Sequence, residues 1–430
     1  MHNGIYSYFL YYGRYSIIKT GLNYLKMNLC KNLTKDEILS NANLFFTLFF
    51  IITFGLHIIF LIMHKGYQLD LYFNDLNDFF ADFLNPVRYC VDRDPYFDET
   101  IHPMHHNQGG LFYIFCWSVK KIANVKQGTS LNDLWNNHTL ILLTFWYLLI
   151  QIFFMYHSLL CFCKKCNTSK IILIPLMMSN PMLFSIERAN HVIFTAACTI
   201  YFITFYDDSD KKKRLIACIC LAIAASQKIY PVIFGFLYFE KKQYKEIVIS
   251  AFFAFVLFFL PFFFFKHGLY NFPRLIDNVR QFSKLENRSF PFLIIKFLCL
   301  LSIALSLFQK KLFNRFLCLI FPFLILSTNA GFYTTLYFYP LIVLLFNQQN
   351  TERYSINTFD ILFFFGYFAY LLMPLQISCY IFGTFKNKNS IIYYSSLRYI
   401  FIVIFFYKFV YTISTIAFDM LNQQKNSLCL

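Results

Sequence analysis

Asp75, Asp78 and Asp82 stand three and four residues apart in a stretch rich in phenylalanine. If residues 75–91 are helical, that spacing places the three carboxylates on one face. Phe79, Phe80, Phe83 and Val87 would then form the apolar flank of a helix lying on a membrane surface. Carboxylates held close together raise one another's pKa, which suits one of them to take a proton from a hydroxyl, although the same pattern also serves a plainly solvated face. Three further polar groups interrupt apolar sequence. Glu187-Arg188-Ala189-Asn190-His191 sets both charge signs, an amide and an imidazole between two apolar runs, as either an ion pair capping helix ends or part of a polar site. Lys228, in Ser226-Gln227-Lys228-Ile229-Tyr230-Pro231, interrupts the apolar stretch 215–239, and either snorkels to an interface or faces an anion. Arg274, Arg280 and Arg288 form the last group, and the guanidinium fork matches phosphate oxygens.

The elements that must position these groups are membrane helices. The 430-residue chain is 58% hydrophobic and only 14% charged, with 59 Phe, far more apolar surface than the core of a soluble domain could absorb. Its formal net charge of +16 therefore reads as lysine and arginine gathered in cytoplasmic loops rather than as a nucleic-acid surface. Apolar runs at 44–63, 138–162, 171–186, 192–206, 215–226, 229–239, 247–265, 290–308, 316–326, 332–346, 359–381 and 391–418 give a polytopic all-α bundle of about 11–13 transmembrane helices. The run 109–125 is short and carries Lys120 and Lys121, so it only dips into the membrane. Residues 1–43 form a basic cytoplasmic arm, 44–430 the transmembrane domain, and 64–107 its first outer loop. With this threading every strong basic cluster falls inside, and the four polar groups fall on the non-cytoplasmic side.

A carboxylate loop facing arginine and lysine suits a lipid-linked phosphate whose tail lies in the bilayer. Several other patterns carry less. Asp92-Arg93-Asp94 spells the metal motif of soluble nucleotide-sugar transferases, but no nucleotide-binding α/β domain surrounds it. Cys161, Cys163 and Cys166 lack a fourth zinc ligand and sit at a helix end. His102, His105 and His106 cluster in the outer loop, where contact with substrate is a better reading than a metal site.

The same residues carry a family resemblance. The chain resembles the GT-C class of membrane glycosyltransferases, in particular glycosyltransferase family 87, whose best-known members are bacterial mannosyltransferases using polyprenyl-phosphate mannose. More distantly it is similar to the catalytic subunit of the first GPI-anchor mannosyltransferase. Asp78-Phe79 followed by Asp94-Pro95-Tyr96 resembles the family's Asp-aromatic opening and its Pro-Tyr. Glu187-Arg188-Ala189-Asn190 resembles a Glu-Arg-Gly-Asn, with Ala189 in place of the usual glycine, and Lys228-Ile229-Tyr230-Pro231 resembles a Lys-Leu-Tyr-Pro. The family's Tyr-Pro-Pro-Leu is here Ile101-His102-Pro103-Met104.

The resemblance implies an inverting transfer of mannose or another hexose or pentose from a polyprenyl-phosphate donor to a lipid-linked or envelope-glycan acceptor. An outer-loop aspartate would be the base, Asp78 by its spacing to Pro95-Tyr96 and Asp82 next. Lys228, Arg188, Arg274 and Arg280 would hold the donor phosphate, and Glu187, Asn190, His191, Tyr230, Tyr96 and His105 would touch substrate. Phosphate departure assisted by these cations needs no metal; some members of the class use a divalent cation, so the cofactor stays open. A Lys-, Asn- and Phe-rich composition fits an AT-rich genome and a bacterial inner membrane. A transporter or flippase for a lipid-linked sugar would want internal two-fold symmetry, which is not visible. A polymerase of the O-antigen type would carry its functional loop late in the chain, whereas the acids here come early.

The threading makes a direct prediction. Tags at Met1 and Leu430 are both cytoplasmic and a cysteine at position 98 (Asp98→Cys) is labelled from outside; labelling of that cysteine from the cytoplasm alone would overturn the site.

Overall fold

The computed structural model describes residues 79–90, 93–97, 108–126, 128–285, 292–309, 312–326, 331–345 and 410. These lie in His57–Leu430, the larger of two compact units. The expected arm 1–43, the spans at 44–63 and 359–381, and nearly all of the span at 391–418 lie outside the described residues, as do Asp75, Asp78, His102, His105, His106 and Arg288.

Among the described residues every regular element is helical. In hydrocarbon a backbone has no water to bond, and a helix satisfies its own N–H and C=O groups. The first elements are α1 (Ala81–Tyr89), α2 (Gly110–Ile122), α3 (Leu131–Trp135) and α4 (His138–Lys165). A capping box starts α3: the Ser130 hydroxyl accepts from the Asp133 N–H, and the Asp133 carboxylate accepts from the Ser130 N–H. Asn137 caps α4 by accepting from the Leu140 N–H. At 28 residues α4 rises about 42 Å, enough to cross a bilayer. Leu140, Thr144, Leu148, Gln151, Met155 and Leu159 recur every three or four residues as its buried stripe. Trp146, Leu149, Ile150 and Phe153 on its other side are more than half exposed. A helix apolar all round suits lipid on one side and protein on the other.

Next come α5 (Leu173–Met177), α6 (Asn180–Glu187), α7 (Val192–Phe205), α8 (Lys211–Gln227), α9 (Phe236–Glu240) and α10 (Tyr244–Phe259). The expected span 171–186 is bent by 49° between its two halves. Pro181, which has no N–H to continue a ladder, stands at the start of the second half. The expected span 229–239 is likewise broken, into a 3₁₀ turn (Tyr230–Gly235) holding Pro231 and the short α9. Helix α10 continues through a 3₁₀ turn, and Tyr244–Phe264 is long and apolar enough to cross a membrane. Thus among the described residues α4 and Tyr244–Phe264 qualify singly, and the bent pair adds a third span if counted as one. The remaining helices are α11 (Asn271–Leu285), α12 (Phe292–Phe308), α13 (Leu312–Leu326), α14 (Gly331–Thr334) and α15 (Tyr339–Leu345).

Helix α7 is the centre of the packing. Nearly all its side chains are buried, and it lies against both α4 and α8, while α8 packs in turn on α10. Its ends are polar in different ways. At the C-terminal end Lys165 donates to the Thr204 carbonyl at 2.7 Å and to Asp207 at 2.5 Å. Nearby Arg214 pairs with Glu246 at 3.4 Å, Lys213 with Asp208 at 3.6 Å, and Arg315 with Glu240. At the N-terminal end lies the cluster described below.

One close approach sets how α2 meets α8. A Cβ on Gly109 would stand 2.5 Å from the Ser226 carbonyl oxygen and 3.2 Å from the Gln227 Cα, both backbone atoms with no room to yield. Gly109→Ala is therefore expected to destabilise the protein by about 1–3 kcal/mol, read as a lowered Tm in detergent. A melting curve equal to that of the parent would show that this contact is looser than described.

Candidate functional site

The site is built where two loops meet backbone to backbone. The Phe80 N–H donates to the Glu187 carbonyl at 2.7 Å, and the Asp82 N–H donates to the Arg188 carbonyl at 3.0 Å. To make this seam both strands of chain adopt left-handed backbone: Phe80 has φ 60° and Ala189 φ 49°. For residues with a Cβ that conformation costs about 1–2 kcal/mol each, and such strain concentrates where a site demands it. The bend at Phe80 also corrects an expectation. Helix α1 starts at Ala81, so no continuous helix carries Asp75, Asp78 and Asp82 on one face. Its expected apolar flank is packed inside the protein. Phe83, Leu84 and Val87 are fully buried, and the Phe83 ring stacks on Tyr147 at 4.6 Å.

The seam aims the Asp82 carboxylate into a ring of donors. Arg188 gives Oδ1 two contacts, from Nη2 at 2.9 Å and Nε at 3.3 Å. Asn190 Nδ2 donates to Oδ2 at 2.6 Å, and the Tyr333 hydroxyl donates to the same oxygen at 2.8 Å. Asn190 is fixed in turn, since its Oδ1 accepts from the Val192 N–H, the first of α7, at 2.9 Å. Burial pushes the Asp82 carboxyl above its ordinary value of 3.8, while Tyr333, Asn190 and the positive charge of Lys228 pull it back.

Lys228 follows the end of α8, where the chain turns out of the helix. Its Nζ donates to Gln108 Oε1 at 3.0 Å. Burial lowers its pKa to about 8, and the Asp82 carboxylate opposes that shift. Gln108 also accepts, through its backbone carbonyl, from the Tyr96 hydroxyl at 3.1 Å, so Tyr96 and Lys228 meet on one residue. His191 is buried with its ring stacked on Phe112 at 4.4 Å, and burial, with the Lys228 charge, holds its pKa well below 6.5. Tyr230 lies edge-on to Tyr337 at 5.5 Å, and Tyr337 shares a 2.7 Å hydrogen bond with Thr195.

The arrangement brings together Asp82, Arg188 and Asn190 in direct contact, with Lys228 close enough to feel the carboxylate and Tyr96 linked through Gln108. Glu187 is fully buried at the seam. Arg274 and Arg280 make no contact with Asp82 among those described: Arg274 lies over the Phe97 ring at 5.6 Å, and Arg280 pairs with Asp277 at 3.4 Å. Their segment instead holds the Asp94-Pro95-Tyr96 loop, through His267 to Asp94 at 3.1 Å and Asn278 to the Tyr96 carbonyl at 3.4 Å. Two contributors were missed in the sequence, Tyr333 and Gln108. Neither carries a charge, and Tyr333 is 251 residues from the carboxylate it bonds. Among the described residues no three His, Cys, Asp or Glu side chains gather as a metal-binding group.

The model of glycosyltransferase family 87 matches residues 134–349. The matched region includes Arg188, Asn190, Lys228 and Tyr333 and starts beyond Asp82. Neither the curated proteins nor the solved structures contain a match.

The left-handed Ala189 explains why a glycine would suit this position, since glycine adopts that backbone without cost. Ala189→Gly is expected to leave Tm unchanged or raise it by the equivalent of about 1 kcal/mol, whereas Ala189→Val, with a branched Cβ in a fully buried place, lowers it. Equal melting of all three proteins would refute the strain.

Proposed function

As the chain belongs to glycosyltransferase family 87, a family of membrane glycosyltransferases, we propose that it moves a sugar from a polyprenyl-phosphate donor to a lipid-linked or envelope-glycan acceptor with inversion at the anomeric carbon. The observation that carries this reading is the convergence of Arg188, Asn190 and Tyr333 on Asp82 with the Lys228 ammonium beside it. Carboxylate and cation are the two groups this chemistry needs. A loop carboxylate takes the proton of the acceptor hydroxyl as it attacks the anomeric carbon. The bond to the phosphate oxygen breaks, and the leaving polyprenyl phosphate keeps the electron pair, opposite Lys228 and Arg188. Charge stabilisation of this kind in a low-dielectric site is worth several kcal/mol to the transition state. Arg274 and Arg280 are proposed as outlying contributors to phosphate binding, and Glu187, Tyr230, Tyr96 and His105 as substrate contacts. The setting is a bacterial inner membrane with the site on the non-cytoplasmic face.

Two carboxylates compete for the role of base. Asp78 is favoured by its spacing to Pro95-Tyr96. Asp82 is favoured by its raised pKa, while its two oxygens already accept from three side chains. We expect one of Asp78→Asn and Asp82→Asn to lower transfer by about 10²- to 10⁴-fold at unchanged expression, with the other milder. Near-normal transfer by both would remove the base from this loop. Lys228→Ala and Arg188→Ala should each weaken use of the donor by about 2–5 kcal/mol of transition-state stabilisation; normal donor kinetics would give them a structural role.

The pH dependence of kcat/KM supplies a separate check. Lys228 serves in its charged form, which is lost as pH rises through its lowered pKa, so activity declines near pH 8 rather than near the ordinary lysine value of 10.5. Lys228→Arg, always protonated, should abolish that alkaline limb. Persistence of the limb in the variant would assign it to another group.

A further inference from the structure

The site leaves buried polar atoms that nothing in the described protein answers. His191 is 3% exposed, yet neither Nδ1 nor Nε2 has a hydrogen-bond partner. Gln227, 9% exposed, has its Oε1 buried without a partner as well. A buried polar atom is costly to leave unanswered, so these three atoms call for partners. Both residues adjoin groups of the proposed donor site. His191 follows Asn190, which holds Asp82, and lies within the field of Lys228. Gln227 directly precedes Lys228 in the chain. Stacking on Phe112, with the planes 26° apart, fixes the imidazole plane and leaves its edge as the part that can bond.

The chemistry of these atoms selects among ligands. A buried imidazole beside an ammonium stays neutral, offering one N–H donor and one lone-pair acceptor. The Gln227 oxygen is an acceptor only. Phosphate oxygens of an ionised phosphodiester accept and do not donate, so they could answer at most one of the three atoms. Sugar hydroxyls both donate and accept, and neighbouring hydroxyls can answer all three. We propose that His191 and Gln227 form the subsite that reads the hydroxyl groups of the donor sugar, with the phosphate left to Lys228 and Arg188. The assignment rests on the donor reading above and adds to it which residues discriminate between sugars.

The test uses the full-length protein purified in detergent micelles, with His191→Phe, which keeps a ring against Phe112, and Gln227→Met, which keeps length without the amide. Two quantities are read: binding of radiolabelled long-chain polyprenyl phosphate that bears no sugar, and kcat/KM across polyprenyl-phosphate monosaccharides that differ at one hydroxyl. The variants should bind the bare polyprenyl phosphate within about twofold of the parent. They should lose about 10- to 100-fold in kcat/KM for the preferred donor, and the preference between donors should shrink. Parallel loss of polyprenyl phosphate binding would assign the residues to phosphate and overturn the subsite. Unchanged preference between donors would leave these atoms to bound water and overturn it too. Failure of the parent protein to bind polyprenyl phosphate at all would instead overturn the donor reading, and this assignment with it. Should His191→Phe fail to fold, Gln227→Met decides alone.

Discussion

The Asp82 carboxylate is a negative charge set among apolar helices, and the architecture around it follows from the need to compensate that charge. Leaving one ion of a buried pair alone costs about 3–5 kcal/mol, so donors must arrive wherever the chain can supply them. Here they come from the turn after α6 and from the start of α14, more than 100 and 250 residues away. The two backbone bonds between residues 80–82 and 187–188 hold the register of this meeting. Their cost appears as left-handed backbone at Phe80 and Ala189. Lys228 completes the charge balance: burial shifts both groups toward their neutral forms, and each charge partly opposes the shift of the other.

How much of this was legible in the residues depended on contrast. Glu187-Arg188-Ala189-Asn190 and Lys228 stood out because charge wedged between apolar runs is costly, and the structure draws Arg188, Asn190 and Lys228 to Asp82. The helical class was equally plain from hydropathy. Hydropathy cannot register a bend, however, so 171–186 and 229–239 read as single spans although Pro181 and Pro231 stand within them. The single helix through Asp75 and Asp82 failed for a local reason, the left-handed Phe80, which no periodicity reports. Tyr333 and Gln108 were invisible because an uncharged side chain in a long aromatic-rich chain carries no signal until its partner is known. Arg274 and Arg280 stood out as a basic cluster in the same way, and the structure sets them against Phe97 and Asp277.

The opposite end of α7 repeats the principle with other groups. Lys165, Lys213, Arg214 and Arg315 each meet a carboxylate there, so part of the basic charge at this end is neutralised locally by ion pairing. Individually such pairs contribute little when exposed. Together they close one end of the bundle with a belt of charge, while the other end holds the Asp82 cluster.

The length of α7 has a consequence for access. Fourteen residues rise about 21 Å, against roughly 30 Å of hydrocarbon in a typical bilayer. With its basic end at one headgroup plane, its Asn190 end would stop about 9 Å short of the other, at a depth where water is scarce. A ligand anchored by a hydrocarbon chain reaches that depth by sliding in the plane of the membrane, keeping its tail solvated by lipid. A freely soluble one would have to shed its hydration shell and descend alone, so on the proposed reading the short helix would favour a lipid-anchored ligand before any side chain touches it.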